Sequence, residues 1–181
     1  MNHGRAMKIK YQQRGNESAS EQILFIHGCG MNSGVWSDVA ARLEESYCEP
    51  LIRAVDLPGY GHSADYELKD YTTQTLANSL RPLLQDHSTT LIAWSMGGLV
   101  ALDLLSDATL DINQLIMVSS SPRFVQGDDW KSAVEAQVFE EFCQSLADDH
   151  QSTLKRFLAI QTLGSRTARE DIKLLQSKLF E

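Results

Sequence analysis

The chain has 181 residues, of which 43% are hydrophobic and 22% are charged, and its formal net charge is -8 at pH 7. This length and composition are typical of one globular domain with a sizeable core. Because the chain is acidic, general binding to nucleic acid or to an anionic membrane surface is excluded as its main function.

The N-terminal stretch MNHGRAMKIKYQQRG contains no apolar targeting segment, and no later run reaches the roughly 18 consecutive apolar residues of a membrane span. Three cysteines, Cys29, Cys48 and Cys143, are widely spaced and form no zinc or CxxC motif. We therefore expect reduced thiols, a cytoplasmic location, and neither metal nor cofactor.

Short apolar runs followed by turn-forming or small residues predict four buried strands. They are QILFI (22–26), PLIRAV (50–55), TLIAW (90–94) and QLIMV (114–118). MKIKYQQ, near the start of the chain, is expected to add an antiparallel edge strand.

Helical apolar stripes separate these strands, at residues 36–43, 76–84 and 99–105. Pro82 should kink or end the second helix, because proline cannot continue the hydrogen-bond ladder. Strands alternating with helices predict an α/β fold with a mostly parallel sheet and helices on its faces.

The pattern changes after residue 123, where strands are no longer predicted. Trp130, Val134, Val138 and Phe142 recur at every fourth position, and two further apolar stripes follow within residues 154–158 and 168–179. We therefore divide the chain into a sheet-containing part, 1–123, and a helical part, 124–181. The helical part is either an insertion on the sheet or a separate lobe.

The stretch AWSMG (93–97) is close to the G-x-S-x-G nucleophile elbow, a tight turn from a strand into a helix. Small residues are needed around Ser95, and Ala93 takes the place of the usual glycine while Gly97 and Gly98 leave space. The helix N-terminus places backbone N–H groups beside the hydroxyl. The alternative is that Ser95 only caps the following helix.

A second motif, FIHGCG (25–30), follows a predicted strand. Acyl transfer needs two N–H donors for the developing oxyanion, and these are predicted to come from Met96 and Cys29. We expect His27 to brace the loop through hydrogen bonds. A nucleophilic role for Cys29 is disfavoured, since no sequence feature supplies a base.

The third motif is DLPGYGHS (56–63), in which proline and glycines predict a fixed turn. Asp56 is expected to bind local backbone and His62 to be solvated. With HGCG, DLPGYGHS and AWSMGG in this order, the chain resembles the α/β-hydrolase superfamily. The segments SSSPRFVQGDDW and RFLAIQTLGSRTARED further resemble the pimeloyl-[acyl-carrier protein] methyl ester esterases of biotin synthesis, from about residue 23 onward.

The resemblance implies an α/β-hydrolase fold with a helical lid at 124–181, and a nucleophilic Ser95. It also implies that Met96 and Cys29 shape the oxyanion and acyl site, with a wider pocket wall at Cys29, where relatives often have tryptophan. A lid segment lining the substrate channel is implied as well, although Leu158 and Ala159 fit an ordinary packed helix equally well. The implied channel residues are Phe157, Leu158, Ala159, Ile160 and Gln161.

The implied substrate is a methyl-capped pimeloyl chain on the phosphopantetheine of acyl carrier protein, and hydrolysis would release methanol. Because this carrier is strongly acidic, a basic docking face is expected. Residues 150–181 contain six lysines or arginines and three acidic residues. The resemblance favours Arg156, Arg169 and Lys173 for docking, while a solvated helix face is the alternative.

The fold orders its catalytic triad as Ser, then Asp or Glu, then His. The histidines here are His3, His27, His62, His87 and His150, and none stands where the family places the base. We therefore expect a fragment, truncated before the last strands and inactive or nearly so, with QLIMV (114–118) as an apolar edge. The full-length protein is expected to be monomeric. The alternatives are another small-ester or carbon–carbon bond hydrolase, and a non-catalytic binding module.

Overall fold

The computed structural model describes residues 8–47 and 49–180, without the side chain of residue 180. Its chain divides into two compact units between Ser121 and Pro122. His3, Cys48 and the first residue of the MKIKYQQ segment lie outside the described residues. In the part of the chain described, no helix is both long enough and apolar enough to cross a membrane.

The first unit contains a five-stranded sheet in the order β1-β3-β2-β4-β5. β1 pairs with β3 in the antiparallel direction, and the other neighbouring strands are parallel. The four predicted strands and the predicted antiparallel edge strand are all confirmed, but the strand at 114–118 contains no buried residue. The strands are β1 (Lys10–Gly15), β2 (Glu21–Ile26), β3 (Leu51–Asp56), β4 (Ser88–Trp94) and β5 (Ile112–Val118).

Three helices, α1 (Ser37–Ser46), α2 (Thr73–Leu80) and α3 (Met96–Leu105), connect these strands. β2 buries side chains on both faces of the sheet, because successive residues of a strand point to opposite sides. Leu24 belongs to one apolar cluster, whereas Phe25 belongs to a second cluster on the other side.

The predicted end of α2 is confirmed. α2 starts where the Thr72 hydroxyl accepts a hydrogen bond from the Thr75 N–H at 3.1 Å, and it stops at Leu80. Pro82 then lies in a short 3₁₀ turn, Arg81–Leu83.

The connections leave β2 and β4 in opposite directions. The chain passes from β2 to β3 toward one edge of the sheet, and from β4 to β5 toward the opposite edge. β2 and β4 are neighbours, so the switch point of the sheet, the usual ligand position in parallel α/β sheets, lies between their carboxyl ends. The HGCG loop follows the end of β2, and Ser95 follows the end of β4.

β5 lies at the edge of the described sheet, as expected. Two of its apolar side chains remain accessible, with Ile116 41% exposed and Val118 38% exposed.

The second unit contains three helices, as predicted. They are α4 (Ala136–Asp148), α5 (His150–Gln161) and α6 (Ala168–Phe180). Asp149 caps α5 by accepting a hydrogen bond from the Ser152 N–H at 3.1 Å. The rings of Phe142 and Phe157 join α4 to α5, with centroids 5.3 Å apart.

The prediction of a helix through Trp130 and Val134 is wrong. Trp130 exchanges backbone hydrogen bonds with Gly127 in a turn, and Val134 forms an isolated bridge with Val125. α4 begins only at Ala136. The turn residues Gly127, Asp128 and Asp129 favour this reversal, and the apolar spacing of four arises without a helix.

The packing of α3 can be tested with two adjacent leucines. Leu104 is fully buried, while Leu105 is 46% exposed. We expect Leu104→Ala to lower the free energy of unfolding by about 2–5 kcal/mol, because it removes buried methyl groups and leaves a cavity. The matched control Leu105→Ala should cost less than about 1 kcal/mol in the same denaturant titration. Equal losses would contradict this packing of α3.

Candidate active site

Ser95 lies in the single-residue turn between β4 and α3. Its φ is 53° and its ψ is -124°, a backbone conformation that residues other than glycine rarely adopt. Such a conformation costs of order 1–3 kcal/mol and persists only where its surroundings enforce it. Here the Ser95 N–H donates to the Val118 carbonyl at 3.0 Å, and the Gly98 N–H donates to the Ser95 carbonyl at 2.9 Å.

The glycines of the nucleophile elbow and of the HGCG loop allow the two segments to touch. A Cβ at Gly97 would lie 2.6 Å from the His27 carbonyl oxygen, and a Cβ at Gly28 would lie 3.0 Å from the Ser95 Cβ. The approach at Gly97 is too close for a side chain, and the approach at Gly28 would require a small shift of its neighbours. Ala93, which replaces the usual glycine, is fully buried in β4, so its methyl group is accommodated.

His27 braces the loop, as predicted. Its ring is fully buried, its Nδ1 lies 2.8 Å from the Gly28 carbonyl oxygen, and its Nε2 accepts the Leu57 N–H at 3.1 Å. The ring is therefore neutral with the proton on Nδ1. Burial lowers the pKa of His27, and this outweighs the opposing effects of the Gly28 carbonyl and Asp56. With both nitrogens engaged by backbone, His27 is unavailable as a base.

Asp56 binds backbone of two loops, in agreement with its predicted role. Its carboxylate is buried and accepts the Ser33 N–H at 2.6 Å and the His62 N–H at 2.9 Å. The His62 ring is largely exposed, as expected, and its Nδ1 also lies 3.0 Å from Asp56. Gly61 is required here, because a Cβ would lie 2.7 Å from the Asp56 carboxyl carbon.

Tyr60 is a site residue that the sequence analysis missed. Its side chain hydrogen-bonds with Cys29, which is half-buried, and its ring lies 5.1 Å from the His27 ring. Burial raises the pKa of Tyr60, and the neighbouring Cys29 raises it further, so the phenol stays protonated. The only sequence signal is an aromatic residue between the two glycines of DLPGYGHS.

None of the histidines in residues 8–47 and 49–180 is hydrogen-bonded to Ser95, and the Ser95 hydroxyl has no partner there. His87 lies before the amino end of β4, with its Nδ1 3.1 Å from the Ala19 carbonyl oxygen, and His150 begins α5 in the second unit. The described residues therefore supply a serine beside the HGCG loop, and no histidine is hydrogen-bonded to that serine.

The predicted lid residues occupy about one turn and a half of α5, and they differ in exposure around the helix. Leu158 is fully buried, Phe157 is half-buried, and Ile160 is 61% exposed. Ala159 and Gln161 are also exposed, as are Arg156, Arg169 and Lys173.

The strained serine at a strand-to-helix turn, beside a glycine loop at the switch point of a parallel sheet, defines an α/β hydrolase. A family model described as alpha/beta hydrolase fold matches residues 22–174, and the chain belongs to this family. An esterase from Exiguobacterium antarcticum has the same fold, with a TM-score of 0.75, 23% identity, and coverage of 92% of this chain and 63% of that structure.

Two similar relatives are named pimeloyl-[acyl-carrier protein] methyl ester esterase. The protein from Aeromonas salmonicida is 40% identical over 159 residues, covering 88% of this chain and 61% of its own length. The protein from Pseudoalteromonas atlantica is 35% identical over 157 residues, covering 87% and 59%. The chain thus spans about three fifths of the length of these relatives.

The buried neutral His27 makes stability depend on pH. In the folded chain the pKa of His27 lies below the ordinary value of 6.5. The neutral ring therefore contributes its full share to the free energy of unfolding above pH 6.5, and this share is lost as the pH falls. We expect the Tm to decrease between about pH 7.5 and about pH 5.5, and to decrease less in His27→Gln. His150→Gln serves as the control. An unchanged slope in His27→Gln would contradict this origin.

Proposed function

We propose that the protein is a serine carboxylesterase in which Ser95 is the nucleophile. The observation that carries the proposal is the strained turn at Ser95, packed against the HGCG loop at the switch point of the sheet. A buried capping serine needs no such conformation, whereas a nucleophile gains an exposed hydroxyl at the end of a helix.

The proposed reaction proceeds in two steps. The Ser95 Oγ bonds to the ester carbonyl carbon, its proton passes to the leaving methoxide, and methanol departs to leave an acyl-enzyme. Water then cleaves the acyl-enzyme and releases the acid. The backbone N–H groups of Met96 and Cys29 would bind the oxyanion in both steps.

The substrate that we propose is the methyl ester of a pimeloyl chain carried by acyl carrier protein, freed at its distal carboxyl group. The names of the two relatives support this choice. In this proposal residues 124–181 form the lid. Phe157 and Leu158 would belong to the acyl-binding wall together with Ala159, Ile160 and Gln161.

Docking of the acidic carrier is proposed for the basic face formed by Arg156, Arg169 and Lys173. All three side chains are exposed, and Arg169 and Lys173 lie one turn apart on α6. We also propose that the protein is monomeric and cytoplasmic; Cys29 and Cys143 form no disulfide, which suits a reducing compartment.

We further propose that these 181 residues alone hydrolyse esters very slowly, because the Ser95 hydroxyl has no base among the described residues. Removing the base from a serine hydrolase lowers kcat on the order of 10⁶-fold. A second candidate function follows from the same observation, namely a binding module that retains the carrier-protein surface without catalysis.

A fluorophosphonate probe separates the esterase from the binding module. We expect slow labelling of the native chain at Ser95, faster labelling when imidazole supplies a base, and none in Ser95→Ala, as measured by mass spectrometry. The matched control Ser106→Ala changes an exposed serine at the other end of α3. A folded chain that stays unlabelled even with imidazole would favour the binding module.

Charge reversal tests the docking face. We expect Arg156→Glu and Arg169→Glu together to weaken binding of acyl carrier protein at least about tenfold, because like charges then oppose each other across the interface. Titration calorimetry at low and high salt measures the effect, and the exposed Lys69→Glu is the matched control in the first unit. Equal weakening by Lys69→Glu would contradict a localised docking face.

A further inference from the structure

Ser120 touches the nucleophile turn from outside the elbow motif. Its hydroxyl donates a hydrogen bond to the Ser95 carbonyl oxygen at 2.7 Å, from a position 25 residues further along the chain. Ser120 follows β5 directly after Ser119, which has a φ of 45° and is the second described residue other than glycine with a positive φ. The turn at the end of β5 thus brings a hydroxyl onto the turn at the end of β4.

The bonded carbonyl belongs to the peptide that joins Ser95 to Met96. This peptide is trans, so its C=O and its N–H lie in one plane and point in opposite directions. A hydrogen bond that fixes the direction of the Ser95 carbonyl therefore also fixes the direction of the Met96 N–H. Accepting a hydrogen bond at the carbonyl also polarises the amide and strengthens its N–H as a donor.

Space for this hydroxyl is provided by Gly98. A Cβ at Gly98 would lie 2.8 Å from the Ser120 Cβ and 3.0 Å from the Met117 Cε, and still closer to the Ser120 hydroxyl. The Gly98 N–H donates to the same Ser95 carbonyl at 2.9 Å. Two donors, one from backbone and one from Ser120, therefore converge on a single carbonyl oxygen.

We propose that Ser120 is a positioning residue that aims the Met96 N–H at the oxyanion through its hydrogen bond to the Ser95 carbonyl. The proposal rests on the proposed esterase function for its catalytic consequence. Its structural part, the control of the 95–96 peptide by a side chain from the end of β5, is independent of that function.

The test compares Ser120→Ala with Ser106→Ala in the full chain. Each change removes one serine hydroxyl that donates at 2.7 Å to a backbone carbonyl, and the two hydroxyls serve opposite ends of α3. The Ser95 carbonyl keeps its Gly98 donor in Ser120→Ala, so we expect the variant to fold, with a Tm close to that of Ser106→Ala.

The first readout is the kinetics of fluorophosphonate labelling at Ser95 with imidazole present. We expect Ser120→Ala to lower the maximal labelling rate constant about tenfold, below the roughly 10²–10³-fold loss seen when an oxyanion donor itself is removed. The half-saturating probe concentration should not change, because the Ser120 hydrogen bond affects stabilisation of the transition state and not the initial binding of the probe. Ser106→Ala should match the wild type in both parameters.

The second readout is amide hydrogen exchange at Met96 and Gly98, measured by NMR on the 15N-labelled chain. We expect exchange at least several-fold faster in Ser120→Ala and unchanged in Ser106→Ala. Unchanged exchange at both amides in Ser120→Ala would overturn the proposal, as would unchanged labelling kinetics in a chain that is labelled. If the wild-type chain is not labelled at all, the esterase function fails, and the exchange rates still decide whether Ser120 controls this peptide.

Discussion

The arrangement of the first unit depends on the close approach of α3 to the end of β2. The carbonyl oxygens of Ile26 and His27 lie 2.7 Å and 2.6 Å from where a Cβ of Gly97 would be, so only a hydrogen atom fits between helix and strand. This contact sets the position of the α3 N-terminus. It also leaves the chain no room to turn gradually, and Ser95 must take up the whole change of direction in one strained residue.

The loops around this contact hold one another in place through backbone hydrogen bonds to buried side chains. His27, in the loop after β2, receives the N–H of Leu57, in the loop after β3. In the other direction, Asp56 at the end of β3 accepts a hydrogen bond from the Ser33 N–H, which lies beyond the end of β2. Because each of these polar groups is buried, losing one partner leaves the other unsatisfied, which makes the loops interdependent.

Much of this could be predicted from the sequence, because it depends on local patterns. Short apolar runs between turn residues predict the strands correctly, and the small residues around Ser95 predict the elbow. Tyr60 and Ser120 could not be found in this way, because each acts through a residue distant in the chain, Cys29 and Ser95 respectively. The helix predicted through Trp130 failed for a different reason: apolar spacing of four also occurs in turns, and local turn chemistry prevailed.

The contact between the end of β5 and Ser95 also has a consequence for the order of folding. The Ser95 N–H requires the Val118 carbonyl, and the Ser95 carbonyl receives the Ser120 hydroxyl, so both bonds need β5 in register beside β4. Closing a loop of this length costs entropy before the contacts form. The serine can therefore hold its final conformation only once β4 and β5 have paired.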